Sequence, residues 1–367
     1  GTYRTAAQKK QNARLQESKA RGFVQESSKS ENIEDLPDDE SIDNPYRSLI
    51  VVIMGHVDTG KTLLLDYIRG THIQSKEAAG ITQQIGASYK AKESIPHSEE
   101  IMFPGFLFID TPGHSAFSNL RKRGSSICDL AVIVVDIMHG IEPQTEESIR
   151  ICTENEIPYI IALNKCDRLF GWNSEDSRPI HDKIRLPEFT HEFSSRFDDF
   201  SRYFYSKHLN TSLEFTTEDD ILNICPISAM TGEGVNELLL TAAKYFQAKY
   251  PNDLLKDDSL DAIIMESKRE DRVGATVDVI IINGCLTVGD KIGISTMNGP
   301  VITTIRGLLM PNECSEMRMS QSYTNEHCVE GACGVKIVAN HLDGAIPGSK
   351  IVLTSDISEI EEYKVDI

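Results

Sequence analysis

The 367-residue sequence has no long apolar run, no closely spaced pair of cysteines and no surplus of positive charge. No stretch approaches the roughly 18 consecutive apolar residues of a membrane-spanning helix. The 37 basic and 56 acidic residues give a net charge of −19, whereas proteins that read DNA sequence carry a basic surplus. The sequence therefore predicts a soluble protein that would contact nucleic acid only through a local patch. It also has no internal repeat.

The eight cysteines are scattered and never form a Cys-x-x-Cys pair. We expect reduced thiols in a cytoplasmic protein, packed as small buried apolar side chains. These cysteines are Cys128, Cys152, Cys166, Cys225, Cys285, Cys314, Cys328 and Cys333. The chain starts at Gly1 without a charged-then-apolar leader, so we expect a fragment of a longer protein that carries no secretory signal.

Composition divides the chain into segments. Residues 1–46 are poor in apolar side chains, first basic and then acidic, which predicts a largely disordered or partly helical tail. From 47 to 255, apolar strand candidates alternate with helical patterns, which predicts a doubly wound α/β domain with a mostly parallel sheet. From 256 to 356, short β-branched runs and the turn sequences Asn283-Gly284 and Gly289-Asp290 predict a small antiparallel β-barrel.

The apolar patterns also place individual elements. In the α/β domain they predict strands at 49–54, 105–109, 130–135, 159–163 and 221–225, and helices at 62–69, 115–126, 145–155 and 235–246. In the barrel they predict strands at 262–265, 276–282, 291–295, 301–305, 334–338 and 351–353.

An insertion at about 170–220 interrupts the alternation. It contains five phenylalanines at steps of four, four, three and four, the spacing of one helix face: Phe189, Phe193, Phe197, Phe200 and Phe204. Two interpretations stay open: this face packs on the domain's own flank, or it is a docking face for a partner.

A phosphate-binding loop follows the first predicted strand. The residues Gly55-His56-Val57-Asp58-Thr59-Gly60-Lys61-Thr62 fit the pattern Gly, four residues, Gly-Lys-Thr, between a buried strand and a helix. The glycines let the backbone amides surround phosphate oxygens, Lys61 would neutralise the β and γ phosphates, and the Thr62 hydroxyl would ligate Mg²⁺.

Asp58 is unusual in such a loop because a carboxylate repels a triphosphate. One hypothesis is that Asp58 helps to hold a monovalent cation, K⁺ or Na⁺, together with a backbone carbonyl near Gly80. The alternative is an outward-facing aspartate that caps the loop.

The sequence Asn164-Lys165-Cys166-Asp167 follows another predicted strand and indicates which base is bound. Asp167 can accept the N1 and N2 hydrogens of guanine, a pattern that adenine lacks. Asn164 would hold the N7 side and the Lys165 stem would cover the ring. A backbone amide of the segment Ser228, Ala229 and Met230 would bind the guanine O6.

Three further features point to hydrolysis. Asp110, in Asp110-Thr111-Pro112-Gly113-His114, would reach Mg²⁺ through water, and the Gly113 amide would sense the γ-phosphate. His114 stands where a water-orienting residue belongs. Thr82 would close onto Mg²⁺ only when the γ-phosphate is present. As a hypothesis, Val57 and Ile81 form an apolar gate in front of His114.

Together these motifs resemble the translational GTPases. Gly80-Ile81-Thr82-Gln83-Gln84-Ile85-Gly86-Ala87, followed by Gly113-His114-Ser115-Ala116-Phe117, is similar to the initiation factor two and five-B family. The segment Asp167-Arg168-Leu169-Phe170-Gly171-Trp172 resembles its eukaryotic and archaeal branch. The resemblance covers about residues 47–355. It implies that the motif positions named above bind GTP or GDP and Mg²⁺.

The resemblance also implies a function. The expected activity is ribosome-dependent GTP hydrolysis that promotes the joining of ribosomal subunits and releases the factor, with the barrel meeting ribosomal RNA. Residues 357–367 would start a linker to further domains that contact initiator tRNA and other initiation factors. We expect a monomer. Two alternatives stay open: a GTP/GDP-switched ribosome-binding module with negligible hydrolysis, and an elongation-type factor that delivers tRNA. A P-loop kinase has no need of the Asn164 to Asp167 motif.

Overall fold

The structure, a computed structural model, describes residues 44–70, 86–110, 127–270, 274–311, 323–354 and 356. Two compact units make up this part of the chain. The first contains Ser48–Leu254, and the second contains Leu255–Met310 and the described residues from Tyr323 onward. Most of the predicted tail, the predicted helix at 115–126 and residues 357–367 lie outside the described residues.

A seven-stranded sheet forms the centre of the first unit. Its strands are β1 (Leu49–Gly55), β2 (Gly86–Ala91), β3 (Gly105–Asp110), β4 (Leu130–Asp136), β5 (Tyr159–Asn164), β6 (Asn210–Ser212) and β7 (Ile221–Pro226). They lie in the order β2-β3-β1-β4-β5-β7-β6. Only the β2–β3 pair among these is antiparallel. The predicted α/β fold with a mostly parallel sheet is confirmed.

Helices flank this sheet. They are α1 (Lys61–Arg69), α2 (Pro143–Glu154), α3 (Ile180–Lys183), α4 (Pro187–Tyr205) and α5 (Val235–Lys249), with short 3₁₀ helices at Lys92–Ser94 and Cys166–Arg168. Helix α1 packs on β1 and β3, α2 on β1 and β4, and α5 on β7. Every residue of β1, β3 and β4 is consequently buried, which explains why these strands read as continuous apolar runs.

The sequence missed or shortened several elements of this unit. Strand β2 has the sequence GASYKA, too polar to be recognised, and it forms because it pairs with β3 at the sheet edge. Helix α2 starts at Pro143 rather than at 145, since proline suits the first turn of a helix. Helix α5 continues to Lys249, three residues beyond the predicted end.

The insertion contains α3, α4 and β6, and the five phenylalanines of the predicted helix face lie toward the interior. Four of the five are buried, Phe189, Phe193, Phe200 and Phe204, and Phe197 is half-buried. Helix α4 packs against β6, and the Phe189 ring lies 5.4 Å from the Trp172 ring. The stripe therefore packs within the first unit, and the docking-face interpretation is wrong for these side chains.

The second unit is built from antiparallel strands. They are β8 (Asp261–Glu270), β9 (Gly274–Asn283), β10 (Cys285–Thr287), β11 (Lys291–Thr296), β12 (Gly299–Pro311), β13 (Tyr323–Glu326), β14 (Cys328–Glu330), β15 (Cys333–Ala339) and β16 (Val352–Leu353). One sheet has the order β16-β11-β12-β15-β9-β8, with β13 on β12, and β10 pairs with β14 in a small second sheet.

The larger sheet curves until its edges meet. An antiparallel bridge joins Ile263 in β8 to Lys350, two residues before β16, and the Ile264 amide donates there to the Ser349 carbonyl at 3.0 Å. The curved sheet encloses one apolar core that includes Ile264, Val279 and Ile337. The predicted antiparallel barrel architecture is confirmed.

Strand limits in this unit differ from the predictions. The observed β8 and β12 are longer than the predicted strands at 262–265 and 301–305 because polar residues on the outer face, such as Lys268, continue the ladder. Short strands β10, β13 and β14 were not predicted. Both turn sequences are confirmed: Gly284 joins β9 to β10 with φ +77°, and Gly289 has φ +99°.

No helix among the described residues is both long and apolar enough to cross a membrane. The seven cysteines that the structure describes are free thiols, and five of them are buried. Cys314 lies outside the described residues.

Candidate functional site

The phosphate-binding loop runs from the end of β1 to the start of α1, and two of its glycines have backbones that favour glycine. Gly55 has φ +138°, and a Cβ atom there would lie 2.3 Å from the Val134 carbonyl oxygen. Gly60 has φ +94°, and its Cβ would lie 2.4 Å from Nδ2 of Asn164. The loop therefore needs glycine for close approach as well as for backbone conformation.

Side chains fix the shape of this loop from within and from α2. The Thr59 hydroxyl donates to the His56 carbonyl at 2.9 Å, and the Val57 amide donates to Oε1 of Gln144 at 3.0 Å. His56 Nε2 lies 3.5 Å from a Glu142 carboxylate oxygen. These contacts tie the segment before Lys61 to its own backbone and to the first turn of α2.

Lys61 lies at the first position of α1 and is the main cation of the loop. Its Nζ donates to the His56 carbonyl at 2.5 Å. Burial lowers the pKa of Lys61 to about 8, against the opposing effect of the Asp110 and Asp58 carboxylates. A buried cation that is only partly compensated favours the approach of an anion such as phosphate.

The predicted magnesium ligands include two described residues, Thr62 and Asp110. Thr62 is buried in the first turn of α1, and Asp110, 1% exposed, ends β3 beside Ile53 of β1. Among the described residues, no cluster of three or more His, Cys, Asp or Glu could hold a metal ion. A hydroxyl and a carboxylate still fit Mg²⁺, which keeps waters and substrate phosphates as its other ligands.

Asn164, at the end of β5, joins the two halves of the site. Its Nδ2 donates to the Thr59 carbonyl at 2.7 Å, and its Oδ1 accepts from the Ala229 amide at 2.9 Å. The buried side chain thus braces the phosphate loop against the loop after β7. Of the segment predicted to supply an amide to guanine O6, the Ala229 amide donates to Asn164 in this structure. The base contacts of Asn164 and Ala229 stay predictions.

Asp167 is held by the loop after β7. The Ser228 hydroxyl donates to Oδ1 of Asp167 at 2.7 Å, and the Ser228 amide donates to the Glu233 carbonyl at 2.9 Å. Met230, the third residue of the predicted segment, is 71% exposed. The carboxylate that would select guanine is therefore positioned before any base arrives.

Lys165 spans the gap between base and phosphate regions. It has φ +68°, and its Nζ contacts the Asp58 carbonyl at 2.5 Å and Oδ2 of Asp136 at 2.7 Å. Asp136, which ends β4, was not predicted. Burial acts to raise its pKa, but hydrogen bonds from Lys165, the Met138 amide and His139 outweigh burial and hold that pKa below the usual value. The sequence signal that could have indicated Asp136 is its position directly after the predicted strand at 130–135.

A second unpredicted group lies behind Asp167. Glu233 pairs with Lys183 and accepts from Nε1 of Trp172 at 3.1 Å and from the Thr231 hydroxyl at 2.7 Å. Lys183 and Trp172 belong to the insertion. The insertion is thereby attached to the loop that holds Asp167, and no local pattern in the sequence indicated this.

Most predicted site residues converge at the carboxyl ends of β1, β3, β5 and β7, where α/β sheets bind ligands. Asp58 and Val57 are exposed on the phosphate loop, so the cation and gate hypotheses stay predictions. Five predicted residues lie outside the described residues: Gly80, Ile81, Thr82, Gly113 and His114.

Comparisons with known proteins show which family this chain is similar to. The family model described as the elongation factor Tu GTP binding domain matches residues 46–248. Eukaryotic translation initiation factor 5B of Schizosaccharomyces pombe is 39% identical over 360 residues, covering 93% of this chain and 33% of the relative. Probable translation initiation factor IF-2 of Staphylothermus marinus is 39% identical over 338 residues, covering 86% of this chain and 55% of the relative.

Solved structures support the same relationship. The crystal structure of GDP-bound aIF5B from Aeropyrum pernix matches with a TM-score of 0.74 and 36% identity, covering 87% of this chain and 57% of that one. The chain thus spans a third to somewhat over half the length of these relatives. With the family model matching more than half of its residues, the chain belongs to the translation factors whose GTP-binding domain is of the elongation factor Tu type, and its relatives there are initiation factors 5B and IF-2.

Proposed function

We propose that this chain is the GTP-hydrolysing part of a translation initiation factor that acts on the ribosome and promotes the joining of its subunits. One observation carries the proposal: Asn164 braces the phosphate loop and the Ser228–Ala229 loop together, while Ser228 orients the Asp167 carboxylate. These contacts would let the phosphate loop and the guanine-selecting carboxylate of Asp167 bind the same nucleotide.

Each residue has a distinct part in binding. The Asp167 carboxylate would accept two hydrogens from guanine, which leaves adenine with unsatisfied polar groups and excludes it. Lys61 would pair with the β and γ phosphates, and Lys165 would cover the ring face while its Nζ stays on Asp136 and Asp58. Thr62 and Asp110, with Thr82, would hold Mg²⁺, which neutralises charge on the phosphate oxygens during hydrolysis.

His114 is the proposed water-orienting residue, and Val57 with Ile81 the proposed gate in front of it. In this proposal His114 positions the attacking water only when the ribosome opens the gate, so the isolated protein hydrolyses GTP slowly. The Val57 side chain is 41% exposed on the phosphate loop, which leaves it accessible for a contact. K⁺ or Na⁺ beside Asp58 and the Gly80 carbonyl would add a further positive charge.

The partners follow from the relatives. Their names as initiation factors 5B and IF-2 support ribosomal subunits and ribosomal RNA as the binding partners, with the second unit as one contact. Initiator tRNA and other initiation factors would be reached by other parts of such a factor. The net charge of −19 is compatible with this, because docking to RNA backbone needs only local contacts.

The deciding experiment measures GTP turnover with and without assembled ribosomal subunits. We expect stimulation by subunits in the wild type and a loss of roughly 10²–10⁴-fold in His114→Ala. His191→Ala, an exposed histidine on α4, is the matched control and should behave as wild type. If subunits give no stimulation, the chain is a switched binding module; if His114→Ala turns over normally, the catalytic assignment is wrong.

A further inference from the structure

The small sheet formed by β10 and β14 carries two thiols on one face. Its antiparallel register pairs Cys285 with Glu330 and Thr287 with Cys328. Leu286, which lies between Cys285 and Thr287 on β10, is fully buried in the core of the second unit. Because side chains alternate across a strand, Cys285 and Cys328 both lie on the opposite face, as diagonal neighbours.

Two donors converge on the sulfur of Cys328. The Thr287 hydroxyl contacts Cys328 Sγ at 3.7 Å, and the Cys285 thiol also hydrogen-bonds to it. The Cys285 hydrogen bond, followed by that of Thr287, lowers the pKa of Cys328 to about 7, against burial and the carboxylates of Glu330 and Asp290. A thiol in this state is substantially thiolate at neutral pH, and the thiolate is the nucleophile.

The other cysteines differ in ways that matter for reactivity. Cys328 is partly exposed, whereas Cys166 and Cys225 are buried. Cys333 is also partly exposed, but burial of its thiol raises its pKa to about 12. Burial likewise raises the pKa of Cys225 to about 12 and raises the pKa of Cys166. Among the described cysteines, Cys328 is the one that is partly exposed and also accepts hydrogen bonds from two side chains.

We propose that Cys328 is a peroxide-reactive modification site and that Cys285 is its resolving thiol. In the first step, the Cys328 thiolate attacks one oxygen of hydrogen peroxide, the O–O bond breaks, and a sulfenic acid and one water form. In the second, the Cys285 thiol attacks the Cys328 sulfur, the S–O bond breaks, and a second water leaves. Two thiols are oxidised to one disulfide while one peroxide is reduced to two waters.

The surroundings permit this closure. A disulfide needs about 2.05 Å between its sulfur atoms, whereas diagonal positions of an antiparallel ladder lie roughly 7–8 Å apart, so β10 and β14 must shift before the bond can close. Strands β10 and β14 have three residues each and form a two-stranded sheet separate from the larger one. A shift between them therefore leaves the ladder of the larger sheet intact.

The test treats the full chain with hydrogen peroxide at pH 7, alkylates the remaining thiols and maps the peptides by mass spectrometry. We expect a Cys285–Cys328 linked peptide, 2 Da lighter than the two separate thiols and lost on reduction. Cys285→Ser should accumulate a sulfenic acid at Cys328 that dimedone traps. Cys333→Ser, the control, should form the same link as wild type.

A second measurement does not depend on the disulfide. In the reduced protein, iodoacetamide should modify Cys328 at least about tenfold faster than Cys333 at pH 7. Thr287→Val keeps the side-chain shape and removes one donor, so it should shift the pH midpoint of Cys328 alkylation upward. The proposal is overturned if Cys333 reacts as fast as Cys328, or if oxidised Cys328 links to a thiol other than Cys285.

Discussion

Replacing Glu233 by glutamine is expected to loosen the loop that holds Asp167. Glu233 pairs with Lys183, whose side chain is only 2% exposed. The Lys183 ammonium also contacts the Asn173 carbonyl at 3.1 Å and lies 5.4 Å from the centre of the Trp172 ring. Glutamine keeps the shape of Glu233 but removes the charge, so the buried ammonium loses its counter-ion.

The size of the effect follows from burial. Removing one partner of a buried ion pair costs about 3–5 kcal/mol because the other charge stays buried and uncompensated. For a domain of this size, each kcal/mol lowers the melting temperature by about 2–4 °C. Glu233→Gln should therefore lower it by roughly 6–20 °C. The double variant Lys183→Met with Glu233→Gln should lose less than the sum of the single variants, since no charge is left unpaired.

The assay combines thermal unfolding with the dissociation rate of a fluorescent GDP analogue. Dissociation should be faster in Glu233→Gln, because the amide of Ser228 donates to the Glu233 backbone and the Ser228 hydroxyl holds Asp167. Glu214→Gln is the matched control: Glu214 pairs with Arg185 at 3.0 Å, but its side chain is 80% exposed, and such pairs contribute about 0–1 kcal/mol. Equal melting temperatures in the two variants would refute the reasoning.

Three further predictions concern the nucleotide site. Asp167→Asn leaves guanine with unsatisfied donors and should weaken GDP binding roughly 30- to 10⁴-fold while xanthine nucleotides gain affinity; unchanged selectivity in a competition assay would contradict the base assignment. Because burial lowers the pKa of Lys61 to about 8, nucleotide binding above that pH takes up a proton, so GDP affinity between pH 8 and 9 should fall by up to about tenfold. Titration of Lys61→Met should lack this slope, and parallel slopes would exclude Lys61 as its source. Gly60→Ala places Cβ 2.4 Å from Asn164 and should lower both stability and GDP affinity. Gly289 has a similar φ but open space around it, so Gly289→Ala is the control and should leave GDP affinity unchanged. If Gly289→Ala also lowered GDP affinity, the loss in Gly60→Ala would come from backbone strain and not from the contact with Asn164.

Some strands could be predicted from the sequence because the pattern that indicates them lies within a few consecutive residues. A strand buried on both faces is a run of apolar residues, so β1, β4 and β5 were found within one or two residues. Strands β2, β10 and β14 carry short or polar sequences, and they exist because a neighbouring strand supplies their hydrogen bonds. The helix periodicity of the insertion was evident, but whether Phe200 and Phe204 face the interior depended on what packs over them.

The sequence by itself predicted the chemistry of a nucleotide site, since the order Gly55 to Thr62 and the group Asn164 to Asp167 each lie within a few residues, at strand ends where ligands bind. Only the tertiary structure decided how these groups are held. Asn164 reaches Thr59 and Ala229 across 105 and 65 positions, and Lys183 meets Glu233 across 50. Contacts over such separations arise from folding of the whole sheet, and a buried charge or amide takes whichever partner that folding brings near.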